Sequence, residues 1–171
     1  MRTYGAVGAG VGAGARDGYA IVLYLAEKYP DKGLIPTDLK QRAQVSQWLL
    51  FAATELEQPL WRISRHTALY PEEQRLPADV IIASREFKEM ATVMEKHMQG
   101  RTFVTGDSVT VADFVLAYTL DWGNEDKLLG ECPQLLAYMK RMYARPNAPP
   151  RIAEAFAAIS TEQNPAGDIG P

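Results

Sequence analysis

The sequence predicts an all-α helical bundle of about six helices. Apolar residues recur every three or four positions through most of the chain, and no stretch alternates apolar and polar residues as a half-buried strand does. Thr110-Val111-Ala112-Asp113 also has the spelling of a capping box. In such a box the N-cap hydroxyl accepts from the amide three residues on, while the carboxylate at that third position reaches back to the N-cap amide.

Tyr19 opens the first patterned segment, where Ile21, Leu23, Tyr24, Leu25 and Tyr29 give a short helix stopped by Tyr29-Pro30-Asp31-Lys32-Gly33. Leu34 to Asp38 makes an ordered crossing. Asp38 then N-caps a long helix in which Val45, Leu49, Ala52, Leu56 and Leu60 share a face, with a bend expected at Pro59. Tyr70-Pro71-Glu72-Glu73 marks a turn. A second long amphipathic helix follows through Val80, Phe87, Met90, Ala91, Met94 and Met98 and ends at Gly100. The capped helix runs from Thr110 to about Trp122, with Val109, Val111, Phe114, Val115 and Tyr118 expected in the core and Gly123-Asn124-Glu125-Asp126 as a polar turn. Pro133 opens a helix that Arg145-Pro146 closes, and a last helix covers about Arg151 to Ile159.

The ends have a different texture. Six glycines fall in the first 18 residues, so residues 1–17 read as a flexible Gly/Ala-rich leader, 18–160 as the helical domain and 161–171 as a disordered tail. The 171 residues carry a formal net charge of −3 with dispersed basic residues, which argues against a nucleic-acid partner. No apolar run reaches the roughly 18 residues of a membrane span. The single cysteine, Cys132, has no internal disulfide partner, and with two histidines it makes no typical zinc set, so a reducing, cytoplasmic setting is expected and no metal.

Candidate chemistry is sparse. Tyr4, Ser46, Ser64 and Cys132 each lack an orienting partner at a telling spacing, so no catalytic residue is assigned. Gly10, Gly12 and Ala15 have dinucleotide-loop spacing but no preceding strand, and read as linker. Arg62 and His66 lie four apart on one helical face beside Trp61. They suit either an anionic ligand or a solvated face. Glu55 and Glu57 point to different faces and form no acid/base dyad. Asp113 is assigned to the capping box.

Several of these stretches together resemble the helical C-terminal domain of bacterial-type glutathione S-transferases. The likeness rests on Ala20-Ile21-Val22-Leu23-Tyr24-Leu25-Ala26-Glu27-Lys28-Tyr29-Pro30 and Gly33-Leu34-Ile35-Pro36, then Arg42-Ala43 to Trp48-Leu49. It continues through the Gly106-Asp107 to Ala112-Asp113 box and Pro133-Gln134-Leu135 to Arg145-Pro146, covering roughly residues 19 to 158. The resemblance implies a domain that lines the hydrophobic electrophile site and the dimer interface of a transferase, with Trp61, Arg62, His66, Tyr118 and Trp122 as pocket candidates. It implies glutathione as co-substrate, no other cofactor, and a homodimer or a heterologous protein partner. The family's thioredoxin-like domain, which holds glutathione, has no counterpart upstream of Tyr19. Asp17-Gly18 stands where the family usually has Glu-Ser, leaving Asp17 as the one glutathione contact. The expectation is therefore a truncated or remodelled transferase whose catalysis needs the other half, or a non-catalytic interaction or ligand-binding module.

Overall fold

The computed structural model describes residues 18–162; the leader reading of 1–17, Tyr4, the glycine loop, Asp17 and the tail beyond Glu162 lie outside the described residues. Among the described residues six helical rods form the bundle and pairing of extended backbone is limited to one bridge, Phe103 to Gly106. The all-α expectation is met.

Helix α1 (Gly18–Lys28) lays Tyr19, Val22, Leu23 and Ala26 on the core and leaves Tyr24, Leu25 and Tyr29 on its outer face. A short 3-10 turn, Pro30–Lys32, ends it, and Gly33 takes the left-handed conformation (φ 63°). Leu34 and Ile35 pack on the core, and the Leu34 carbonyl accepts from Val111 N–H at 3.1 Å, tying the crossing to the start of the central helix. Asp38 caps α2 (Leu39–Phe51) by accepting from Gln41 N–H at 2.9 Å.

Beyond Phe51 the rod continues as a π-helical stretch (Ala52–Glu57), α3 (Gln58–Ser64) and a second π stretch (Arg65–Leu69). Pro59 therefore does not end the rod. A proline inside an α-helix collides with the carbonyl four residues back, and the wider π spacing just before Pro59 shifts those carbonyls. Helix α4 (Pro77–His97) packs along α3 and buries Ala83, Phe87, Ala91 and Met94. Gly100 follows in the left-handed region (φ 70°) and reverses the chain.

Helix α5 (Val111–Glu125) is the centre of the bundle, with nine of its fifteen residues buried. The core face is Val111, Ala112, Leu116 and Leu120; Phe114 (39% exposed) and Tyr118 (53%) lie outside it, correcting their expected burial. The helix also runs through Gly123 and Asn124, which the sequence reading places in a turn. Gly123 is a packing residue: a Cβ there would sit 2.9 Å from Phe87 Cε1 and closer still to Cζ. Helix α6 (Pro133–Tyr143) starts at Pro133, and α7 (Ile152–Glu162) continues past the expected end at Ile159 and through Thr161.

Carboxylates fix the helix starts, and two of them, Asp113 and Asp121, are fully buried. Both halves of the capping box are present at Thr110 and Asp113, with Thr110 N–H donating to Asp113 Oδ2 at 2.8 Å. Asp113, fully buried, also accepts from the Thr110 hydroxyl (3.1 Å), Val104 N–H (2.8 Å) and the Tyr138 hydroxyl (2.9 Å), so it joins α5, α6 and the loop before the box. Burial and the neighbouring Asp113 charge push the Tyr138 phenol well above its ordinary range, keeping it a donor. Glu95 on α4 accepts from the Gln134 and Leu135 amides, each at 2.9 Å, and caps α6. Asp121 accepts from Arg151 Nε and Ile152 N–H, both at 2.8 Å, and docks α7.

His97 bridges α2 and the 101–106 loop. Its ring lies 3.9 Å from the Trp48 ring centroid and its Nε2 is 2.7 Å from the Val104 carbonyl. Burial lowers its pKa, the Val104 hydrogen bond opposes this, and the Arg101 charge lowers it further. As pH falls, the unfolded chain takes up this proton first. The contribution of His97 to stability is thus fully present above the unfolded imidazole value of about 6.5 and is lost as pH drops through the lower folded value. Denaturation midpoints measured from pH 7.5 to about pH 5 should fall more steeply for wild type than for His97→Gln; equal slopes would remove His97 as the cause.

Candidate functional site

The five pocket candidates separate into two groups that the structure places on different sides of the α3 rod. Trp61 and Trp122 meet edge to face with ring centroids 4.9 Å apart, joining α3 to α5. Trp61 Nε1 donates to Glu57 Oε1 at 3.0 Å, and the Tyr19 hydroxyl donates to the other oxygen, Glu57 Oε2. Tyr118, one turn before Trp122 on α5, is close enough that the Glu57 and Asp121 charges add to burial in raising its phenol pKa. The result is an aromatic wall of Trp61, Trp122, Tyr118 and Tyr19 around one half-buried carboxylate, where α1, α3 and α5 converge. Glu57 sits at the end of the π stretch.

Arg62 and His66 face α4 instead. Arg62 donates Nε and a terminal nitrogen to both oxygens of Asp79, and its other terminal nitrogen to Glu86. This two-carboxylate clamp raises the Arg62 pKa, and the same hydrogen bonds lower that of Asp79. His66 accepts from Leu76 N–H at 3.2 Å through Nδ1 and places Nε2 3.4 Å from Asp79 Oδ2. The cationic side chains are thus committed to fastening the end of the rod to the start of α4. They are neither gathered at the aromatic wall nor left as a solvated face.

Glu57 is the site residue that sequence reasoning passed over. Its spacing from Glu55 excludes a dyad, which is correct, but its four-residue spacing from Trp61 is the signal that an indole N–H can reach it along the helix. Of the discarded nucleophiles, Ser46 is exposed and Cys132 is buried as a free thiol at the start of α6, with burial raising its pKa. No group of metal-ligating side chains occurs among the described residues, and none of their helices is long and apolar enough to cross a membrane.

On the other side of Tyr118 the surface is hollowed. A space of about 340 Å³ lies between Phe114, Ala117 and Tyr118 of α5 and the segment from Met142 to Pro149. A second, about 300 Å³, lies between Tyr118, Tyr143 and the first turns of α7. Tyr118, Tyr143 and Pro149 line both.

Residues 61–149 match the family model described as "Glutathione S-transferase, C-terminal domain". The chain is similar to glutathione S-transferase GstA of Escherichia coli O157:H7, at 32% identity over 76% of this chain and 62% of that protein. It is also similar to glutathione S-transferase GST-4.5 of Xanthomonas campestris pv. campestris, at 28% identity over 73% of this chain and 62% of that protein. Among solved structures, a glutathione transferase from Methylococcus capsulatus superposes with a TM-score of 0.66 at 27% identity, covering 85% of this chain and 66% of that one. The glutathione transferase URE2P6 of Phanerochaete chrysosporium, in complex with oxidized glutathione, shares the fold with a TM-score of 0.70 at 20% identity, over 86% of this chain and 67% of that one. The chain spans between 46% and 62% of the length of the first curated relatives it matches.

Proposed function

Because the chain belongs to the glutathione S-transferase family, matching its C-terminal domain, we propose that its α1–α3–α5 junction supplies the wall against which an apolar electrophile rests during glutathione conjugation. The observation that carries this reading is the Trp61–Trp122 pair with Tyr118 beside it and Glu57 behind it. Flat aromatic faces at a half-exposed junction suit a planar, electron-poor ring, which stacks on an indole. A structure similar in fold, Ure2p5 of Phanerochaete chrysosporium, is cocrystallized with 1-(S-glutathionyl)-2,4-dinitrobenzene, a conjugate of this chemical type. Catalysis itself needs a group that binds glutathione and stabilises its thiolate. That work belongs to a thioredoxin-like, glutathione-binding domain docked on this helical one.

Tryptophan fluorescence tests the wall. In a Trp48→Phe background, chlorodinitrobenzene should quench Trp61 and Trp122 saturably, and Trp61→Ala should remove most of the saturable quenching. Linear, collisional quenching in both proteins would reject the reading.

A second copy of this chain is the partner proposed for the outer face of α4, where Ile81 is 71% accessible. Isolated apolar residues on a surface are ordinary, but Ile81 lines an open hollow of about 530 Å³ on α4 bordered by Arg85, Lys88 and Glu89, a mixed-charge rim suited to a two-fold contact. Sedimentation should give a dimer for wild type and a monomer for Ile81→Glu. A monomeric wild type would refute it.

A further inference from the structure

Glu57 differs from the other carboxylates that hold this bundle together. Asp79 is paired with Arg62 and Asp121 with Arg151, so each of those charges is met by a cation. Asp113 and Glu95 are taken up by backbone amides. Glu57 has neutral donors instead, the Trp61 indole N–H at 3.0 Å on one oxygen and the Tyr19 hydroxyl on the other. No lysine, arginine or histidine is paired with it among the described residues.

Neutral hydrogen bonds orient a carboxylate without cancelling its charge, so a unit negative charge stands at the junction of α1, α3 and α5. Its field reaches Tyr118, whose phenol is raised by burial first and then by the Glu57 and Asp121 charges. The same two bonds fix the wall. Trp61 is held to Glu57 along the rod while its ring meets Trp122 edge to face, and Tyr19 ties the carboxylate to α1. An indole whose N–H is drawn toward a carboxylate also gains π density, which strengthens its attraction for an electron-poor or cationic ring.

We propose that Glu57 is the specificity-determining residue of the wall: it orients Trp61 and, as a charge with no cation beside it, admits neutral and cationic electrophiles while turning away anionic ones. The inference rests on the wall being the electrophile site, and adds to it a charge filter that aromatic rings alone do not provide.

The test compares two electrophiles on the full chain in the Trp48→Phe background, read by quenching of Trp61 and Trp122: neutral chlorodinitrobenzene and its anionic analogue chlorodinitrobenzoate. In Glu57→Gln the new amide can accept from the indole and donate to the phenol oxygen, so the geometry is kept and the charge is lost. At low salt this variant should bind chlorodinitrobenzene as wild type does and chlorodinitrobenzoate about three- to tenfold more tightly, the effect of one unit charge at a half-buried site. Glu57→Ala frees the indole and should weaken chlorodinitrobenzene binding. Glu55→Gln, at an exposed carboxylate two residues away, should change neither affinity. In wild type, raising salt to about 0.5 M should narrow the gap between the two compounds by screening, which keeps the test valid if a variant fails to fold. Chlorodinitrobenzoate affinity unmoved by Glu57→Gln or by salt, with chlorodinitrobenzene still bound saturably, would overturn the filter alone. An equal gain from Glu55→Gln would assign the effect to net charge and overturn it as well. Full chlorodinitrobenzene affinity in Glu57→Ala would remove the orienting role. No saturable chlorodinitrobenzene binding at all would overturn the wall, and the filter with it.

Discussion

Asp113→Ala is expected to destabilise the fold by about 3 kcal/mol or more, a drop in melting temperature of about 6–12 °C for a domain of this size. The carboxylate is fully buried and takes four hydrogen bonds, from Thr110 N–H and hydroxyl, Val104 N–H and the Tyr138 hydroxyl. Alanine leaves two amides buried without acceptors, each costing about 1–3 kcal/mol, and reduces the Tyr138 phenol to its longer bond to the Asp113 carbonyl at 3.2 Å. Thr110→Ala removes only the hydroxyl part of the cap and should cost about 1 kcal/mol. Tyr138→Phe removes one donor and leaves the carboxylate three others, so it should also cost about 1 kcal/mol. Thermal melts of the three variants check the order. If Asp113→Ala costs no more than Thr110→Ala, the carboxylate is not the hub.

Gly123→Ala should cost about 1–3 kcal/mol, although alanine is the better helix former by about 1 kcal/mol. The methyl group would enter the Phe87 ring, 2.9 Å from Cε1, and Phe87 has no exposed surface into which to retreat. The double variant Gly123→Ala with Phe87→Leu, which removes the ring atoms in the way, should recover part of the loss. Denaturant midpoints decide between this and the alternative role of Gly123 as a helix terminator. A terminator would be insensitive to residue 87.

These two residues mark how far the sequence could be read. Thr110 with Asp113, Asp38 and Pro133 were legible as helix starts because a cap acts over three residues of chain. What Asp113 does beyond the cap was not, since Tyr138 lies 25 residues away and nothing local announces it. Glu95 capping α6 and Asp121 docking α7 are hidden for the same reason. Gly123 has the spelling of a turn, and only Phe87 on a different helix explains it. Periodicity placed Phe114 and Tyr118 on a helix correctly but could not tell the core face from the outer face. Helix α5 is apolar on both, because its outer face lines the hollow beside Tyr118.

The candidate site was half legible. Trp61, Tyr118 and Trp122 were named, and they cluster. Arg62 and His66 were named beside them, yet a helix places neighbours about 100° apart, and the partners that claim Arg62 and His66, Asp79 and Glu86, lie on α4. Glu57, which ties Trp61 to Tyr19, became visible only once α1 lay against the rod.

The division of labour proposed for this domain is tested most directly by isothermal titration of the 171-residue chain with glutathione at millimolar concentration. If the described helices furnish the electrophile wall and another domain holds the thiol, the titration gives no binding heat, and supplying a thioredoxin-like domain restores it. Saturable heat from this chain alone would contradict the account.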